Sequence, residues 1–497
     1  MQPDTSLSRR QLAERAALCG ILAVAAAARL WFLTAGVPHA VGIDEPQVVD
    51  RAMRILRTGE WNTHLFDYPT LVIYLHACVA IVRFLWGALN GEWASLDAYS
   101  IAAVYAAGRF VAAMIGVAAV WLTWRLARDL SSRGVALLAA AQLAVWPLHV
   151  RESHFVLTDV PMTTLTVLAI WLSVRAGRLQ TTAAYGWAGA ACGFAAAAKY
   201  TGGAVIVAVG VTWLLHEWHA ADRGRKAFAI AASAALAFLV AAPFTLFDMP
   251  AFLDGFAAQF ARFSAPAQGG EPPWLTYTKH LSPPFARWTV PVALVGMAVL
   301  VWRHRTRRAW APVIAFVLFF FYVLSAHSHV FGRYALPLVP MLAILTSVAA
   351  AELIRALRRV PALSGRWAVR LMWTAAVVLL LWARVAVTVG WIDDLKRADT
   401  RAMATEWLKS SAPKGARIAV ENSGPTYLDT AGFRVVPSQV LVDRPLDWFR
   451  QRADYIVISS TDLSRYGDYV GAGPTVFQVA PTPQRWGPPI QIVQIAR

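Results

Sequence analysis

Apolar blocks of roughly 15 to 24 residues, separated by short charged connectors, recur along this chain; a helix rising about 1.5 Å per residue needs that length to cross hydrocarbon. Of its 497 residues 58% are hydrophobic and 15% charged, whereas soluble domains carry about a quarter charged residues. The apolar faces must therefore meet lipid, and the 22 Trp suit a chain with much interfacial surface. Eleven crossings are expected, at residues 17–34, 101–124, 134–149, 159–176, 183–198, 201–216, 227–246, 288–302, 309–326, 333–351 and 367–390. The polar N-terminus lacks a clear small-residue cleavage site, so the first is read as a retained helix.

The 46 Lys+Arg against 29 Asp+Glu give a net charge of +17, and where those cations fall decides what they mean. They concentrate in alternate connectors (Arg9, Arg10 and Arg15; Arg125, Arg128 and Arg133; Arg223, Arg225 and Lys226; Arg303, Arg305, Arg307 and Arg308; Arg355, Arg358 and Arg359), as the positive-inside bias requires. This excludes nucleic acid as the expected partner. It predicts a cytoplasmic N-terminus in an inner-membrane protein and an extracytoplasmic C-terminal domain. The block at 69–88 is apolar enough to span, but a full crossing there would invert the charge pattern; it is read as re-entrant or interfacial. Cys19, Cys78 and Cys192 lie inside apolar blocks without ligand spacing, which supports neither a disulfide framework nor a zinc site.

The domain plan is a transmembrane part at 1–390, with outer-face loops at 35–68 and 247–287, followed by a soluble α/β domain at 391–497. The second loop has an amphipathic piece near Phe252 to Phe263. In the C-terminal part a helix-like stretch from Asp399 to Ser410 precedes β-type runs at Arg417–Glu421, Tyr455–Ser459 and Ile490–Ile495. No internal repeat is visible.

Chemistry would have to assemble from the outer-face loops. After Gly42-Ile43-Asp44-Glu45-Pro46, residues Gln47 to Arg57 put Val48, Val49, Ala52, Met53, Ile55 and Leu56 on one helical face and Asp50, Arg51, Arg54 and Arg57 on the other, an amphipathic surface helix. Asp44 stands where a helix cap belongs and also where an outer-face base would stand, and both readings remain open. Asp159, in Arg151-Glu152-Ser153-His154-Phe155-Val156-Leu157-Thr158-Asp159, invites the same two readings. Lys199 interrupts an uncharged stretch and either snorkels to headgroups or serves a site. His327, His329 and Arg333, with Tyr334, suit a grip on phosphate, while metal binding by the His pair lacks an evident third ligand. Arg29 and Arg109, inside helices, would pair with carboxylates or snorkel.

Four of these features, in this order, resemble the integral-membrane glycosyltransferases of GT-C type that use polyprenyl-phosphate sugars: Ile43-Asp44-Glu45, Thr158-Asp159-Val160-Pro161, Lys199 at a helix break, and Arg333-Tyr334-Ala335-Leu336-Pro337. The family includes protein O-mannosyltransferases and the aminoarabinose transferase that modifies lipid A. Asp399-Thr400-Arg401 through Trp407-Leu408, then Pro413-Lys414-Gly415, is similar to the segment leading into the outer domain of such enzymes. The chain departs from the pattern at Asp67-Tyr68-Pro69-Thr70, where many members carry a Lys before paired prolines.

The resemblance implies a catalytic acidic group of Asp44, Asp159 and Glu45, with Asp44 as general base, and donor-phosphate contacts from Lys199, Arg333, Tyr334, His327 and His329. It implies a polyprenyl-phosphate sugar donor, a protein, lipid or glycan acceptor, displacement with inversion, and no resident cofactor, with a divalent cation not expected. A transporter or flippase for a lipid-linked or anionic substrate is the alternative. Transporters carry polar residues at mid-membrane depth and repeated architecture, whereas here the charged candidates cluster at one face.

Overall fold

The computed structural model describes residues 9–264, 271–282, 286–303, 307–326 and 330–495. In chain order its α-helices are α1 (Arg9–Leu30), α2 (Glu45–Thr58), α3 (Leu71–Leu89), α4 (Ile101–Leu130), α5 (Arg133–Ala144), α6 (Pro147–Glu152), α7 (Asp159–Leu179), α8 (Thr182–Ala198), α9 (Ile206–Glu217), α10 (Arg223–Ala241), α11 (Phe244–Phe247), α12 (Met249–Ser264), α13 (Pro273–Leu281), α14 (Thr289–Trp302), α15 (Arg307–Ser325), α16 (Leu338–Leu357) and α17 (Arg366–Asp394). Three more, α18 (Thr400–Ser411), α19 (Leu446–Arg450) and α20 (Gly467–Val470), lie among the strands β1 (Ala398–Asp399), β2 (Arg417–Glu421), β3 (Arg434–Ser438), β4 (Tyr455–Ile458), β5 (Thr475–Val479), β6 (Arg485–Trp486) and β7 (Ile490–Gln494).

Every one of the eleven expected segments contains a helix. Among the described residues eight helices are long and apolar enough to cross a membrane, and α5 and α14 are shorter apolar ones. Seven of the eight (α1, α4, α7, α10, α15, α16, α17) answer to expected spans; the eighth is α3, the block set aside on charge grounds. By length and composition α3 qualifies as a span like the others.

Two compact units emerge from the contacts: one takes in Met1–Trp31, Arg51–Val82 and Gly108–Val389, the other Phe32–Asp50, Arg83–Ala107 and Gly390–Arg497. In the first, α7 and α16 are the most enclosed of the long helices, while α1, α10 and α17 leave most of their apolar surface outward, where lipid would solvate it. Small residues allow close helix packing: a Cβ on Gly193 of α8 would stand 2.1 Å from the Ala234 carbonyl oxygen of α10, so only glycine fits that crossing. Inside, the Gln142 amide of α5 is fully used by α16. It donates to the Ala343 carbonyl (3.1 Å) and Ser347 Oγ (2.8 Å) and accepts from Thr346 Oγ1 (3.0 Å). Among the described residues Arg29 pairs with no carboxylate, and it does not snorkel. It is fully buried and donates to the carbonyls of Leu143 and Ala144 at the C-terminal end of α5 and to His149 Nδ1, where the helix dipole favours a cation. The Arg109 guanidinium lies 5.5 Å from the Phe155 ring centroid.

The second unit holds a five-stranded sheet of order β3-β2-β4-β7-β5, with β2 parallel to β3 and β4 and with β7 antiparallel to β4 and β5. Alternation splits its core between two faces. Ile418, Val420, Val457 and Ile492 pack with Ala404 and Leu408 of α18; Ala419, Ile456, Ile458 and Val493 pack with Phe449 of α19 and with Tyr466 and Tyr469.

Beyond α2, in the first unit, an exposed polar clamp ties the loop to the start of α12. His64 Nε2 meets Glu60 Oε1 at 2.7 Å, His64 Nδ1 meets Asp248 Oδ2 at 3.1 Å, and Asn62 donates to the same Asp248 oxygen at 2.8 Å. The Glu60 bond, then the Asp248 bond, raise the His64 pKa above 6.5. The His64 bond, then Arg54, lower Glu60 from 4.5, and Asn62 followed by His64 lower Asp248 from 3.8. The raised imidazole contributes fully below 6.5 and is lost as pH rises through its folded value. The depressed carboxylates contribute above their ordinary values and are lost as pH falls through the folded ones. Amide exchange of residues 58–67, corrected for intrinsic rate, is therefore expected to be slowest between about pH 4.5 and 6.5 and faster at pH 8. His64→Ala should abolish the difference between pH 6 and pH 8.

Candidate active site

Asp159 opens α7 without capping it: the cap position is Thr158, and the Asp159 carboxylate accepts a hydrogen bond from Lys199 Nζ at 2.7 Å. Both side chains are withdrawn from solvent, Asp159 at 2% and Lys199 at 8% exposure. Lys199 reaches it because α8 stops there. The residue is extended (φ −160°, ψ 134°) between α8 and a 3-10 turn at Tyr200–Val205. Gly202 lets that turn fold back on α8, since a Cβ there would stand 2.2 Å from the Ala195 carbonyl oxygen. The lysine does not snorkel; burial is tolerable because each charge has the other.

Around the pair the same unit gathers more cation and aromatic surface. Lys199 Nζ lies 4.4 Å from the Tyr334 ring centroid, and the Arg333 guanidinium lies 5.3 Å from the Phe331 ring and 5.8 Å from that of Tyr334. Arg333 Nε stands 3.9 Å from Asp159 Oδ2, beyond hydrogen-bond range. One carboxylate thus faces two cations. The adjacent Glu152 is matched by its own neighbour, accepting from Arg151 Nε at 2.8 Å and Nη2 at 2.6 Å. Burial raises the Glu152 pKa, with Arg151 opposing and Asp159 reinforcing the shift. His280 of α13 packs on Gly332, and burial, then the Arg151 charge, lower its pKa below 6.5. With three cations against two carboxylates the cluster has the chemistry to hold an anion.

In the other unit, Glu45 is fully buried and its Oε2 accepts the Gly42 backbone N–H at 2.7 Å, bracing the turn from which α2 starts. Glu45 closes the turn, and Asp44 is left half-exposed at its rim. The segment before it is strapped down by Arg401, which donates to the carbonyls of Val41 (2.7 Å) and Ala40 (3.2 Å) while pairing with Asp399 at 2.8 Å. Thr426 Oγ1 donates to the Pro38 carbonyl (2.6 Å), and Tyr427 OH donates to Asp50 Oδ1 (2.7 Å). The amphipathic helix expected at 47–57 is α2, with Val48, Val49, Ala52, Met53 and Ile55 buried.

Of the sequence candidates, then, Asp159, Lys199, Arg333 and Tyr334 come together, Asp44 and Glu45 share one turn, and His327 and His329 lie outside the described residues. Phe331, the Arg151–Glu152 pair and the Arg401 strap have no role that the sequence pattern announces; Asp399-x-Arg401 is the available signal for the last. In the departing loop, Asp67 is paired with Arg51 at 2.9 Å. Among the described residues no group of three or more His, Cys, Asp or Glu is arranged to hold a metal ion.

Residues 98–247 match the family model of dolichyl-phosphate-mannose-protein mannosyltransferases. The fold is similar to that of ArnT from Cupriavidus metallidurans bound to undecaprenyl phosphate, with a TM-score of 0.62 and 15% identity over 96% of this chain and 97% of that one. It is also similar to the apo oligosaccharyltransferase of Archaeoglobus fulgidus (TM-score 0.63, 12% identity, 90% and 69% covered) and to the same organism's AglB with an inhibitory peptide and a dolichol-phosphate (0.62, 11%, 90% and 70%). No curated protein matches by sequence. The chain is a membrane glycosyltransferase of GT-C fold. The resemblance carried by its short motifs and the similarity of its fold thus agree.

Lys199→Met would leave the Asp159 carboxylate buried beside a longer Arg333 contact only. We expect it to cost about 3–5 kcal/mol of stability, and Lys199→Met/Asp159→Asn to recover much of that loss. Thermal unfolding of the detergent-purified variants checks this.

Proposed function

We propose that this glycosyltransferase moves a glycosyl group from a polyprenyl-phosphate-linked sugar to a protein, lipid or glycan acceptor at the outer face of the cytoplasmic membrane, with inversion at the anomeric carbon. The observation carrying the reading is the excess of cation at the Asp159 cluster, where Lys199 and Arg333 face a single carboxylate. A departing polyprenyl phosphate gains negative charge as the glycosidic bond breaks, and prearranged cations lower the energy of that state most. Similar folds hold undecaprenyl phosphate and dolichol-phosphate, which supports the same class of carrier here.

In the step proposed, an acceptor oxygen or nitrogen attacks the anomeric carbon as the bond to the phosphate oxygen breaks. The electron pair leaves with the phosphate, which Lys199, Arg333 and Tyr334 receive, with His327 and His329 as further candidates. Asp44 takes the acceptor proton; a half-exposed carboxylate can then pass it to water. Glu45 holds the turn, and Asp159 orients Lys199. The long prenyl tail stays in lipid, so the apolar helices and the polar cluster serve one substrate.

Purified protein given radiolabelled polyprenyl-phosphate sugars and a membrane extract should release polyprenyl phosphate and label an acceptor. Asp44→Ala should lower turnover by about 10²–10⁴-fold, the usual range for loss of a general base. Turnover by Asp44→Ala equal to wild type would remove Asp44 from this role, and absence of release with any donor would overturn the reading as a whole.

A further inference from the structure

At the beginnings of α1 and α5 and the end of α4, all within the first unit, lies a cavity of about 340 Å³ whose polar wall includes Glu14, Arg15, Arg125, Arg128, Asp129 and Arg133. We propose that it binds a phosphate ester, presented by the headgroup of an acidic membrane lipid, independently of the transfer reaction.

Four guanidiniums there face two carboxylates. Glu14 is shared, taking Arg128 Nε at 2.8 Å and Arg133 Nε at 2.9 Å. Asp129 accepts the Trp171 indole N–H at 2.8 Å and meets Arg125 only at 3.8 Å. Arg125 instead lies against the rings of Trp124 and Trp171, at 5.9 and 5.6 Å, which orients its planar fork without consuming its donors. Arg15 is exposed at the rim. One further donor points to an absent acceptor: the Trp124 indole N–H, in the same wall, is buried and has no hydrogen-bond partner among the described residues. A phosphate oxygen would satisfy it.

The size of the cavity lies in the roughly 300–1,000 Å³ range of ligand pockets. Its walls are the ends of apolar helices, and the ends of spans lie at the level of lipid phosphates. A charge bias that serves only to orient the chain needs no concave site and no oriented arginine fork. Here Arg15 and Arg125, the Arg128–Glu14–Arg133 triad and an unsatisfied indole line one cavity.

The test uses the full chain in nanodiscs of phosphatidylcholine containing a minor fraction of phosphatidylglycerol, with bound lipid counted by native mass spectrometry after release. Wild type should retain phosphatidylglycerol over phosphatidylcholine, and Arg15→Gln/Arg125→Gln should weaken that retention by about tenfold or more. Arg358→Gln/Arg359→Gln removes the same charge from another basic connector and should leave retention unchanged. Trp124→Phe, which keeps the ring and deletes the N–H, should weaken it by a smaller factor. Displacement of the lipid by millimolar inorganic phosphate would show that the phosphate alone is read; resistance to it would assign the site to the intact lipid. Equal retention by the Arg15/Arg125 variant and wild type, or an equal loss in the Arg358/Arg359 control, would overturn the proposal.

Discussion

The buried ion pair between Lys199 and Asp159 is the contact around which the first unit's polar cluster is organised. An ammonium and a carboxylate in surroundings this enclosed are each costly alone, and mutual attraction with good geometry makes them tolerable. The pairing ties the start of α7 to the interruption between α8 and the following 3-10 turn. That interruption would otherwise expose backbone groups within an apolar bundle. Because α7 is among the most enclosed helices, the carboxylate at its first turn is rigidly placed. Lys199 sits between Asp159 and the face of Tyr334, and Arg333 adds a second cation 3.9 Å from the same carboxylate. The result is a fixed centre of positive charge, at no reorganisation cost when an anion arrives.

In the second unit a comparable economy of contacts shapes the Asp44 turn. Arg401 satisfies the carbonyls of Ala40 and Val41, Glu45 satisfies the N–H of Gly42, and Tyr427 holds Asp50. The residues flanking Asp44 are thereby held through side chains supplied largely by the sheet-bearing part of the chain. Within the acidic turn Glu45 takes the Gly42 N–H, while Asp44, the residue just before α2, is partly buried.

Much of this was legible in the sequence, and the rest was hidden for identifiable reasons. The apolar segments and the amphipathic helix follow from hydrophobic periodicity, and Lys199 stood out because charge is rare in such surroundings. Strands β2, β4 and β7 are central and largely buried, so their apolar runs were visible. Besides the two-residue strands β1 and β6, no sign in the sequence marked β3 and β5, which are the edges of the five-stranded sheet and mostly half-exposed, and β3 carries Pro437. Edge strands need less apolar surface and tolerate proline. The block that became α3 was set apart by charge parity alone, whereas local composition already qualified it. The joining of Asp159 to Lys199 spans 40 positions and that of Arg401 to Val41 spans 360; no local pattern encodes either. Phe331 gave no signal because an aromatic beside a cationic residue is common in any membrane protein.

In the proposed transfer, labour is divided between cations that receive a phosphate and a carboxylate that removes a proton. Equilibrium binding of a polyprenyl phosphate to the purified protein tests that division most directly. Arg333→Gln should weaken binding by about ten- to a hundredfold, the loss of one charge-assisted contact worth roughly 1.5–3 kcal/mol, while Asp44→Asn should bind within about twofold of wild type. Undiminished binding by Arg333→Gln, or an equal loss in both variants, would contradict it.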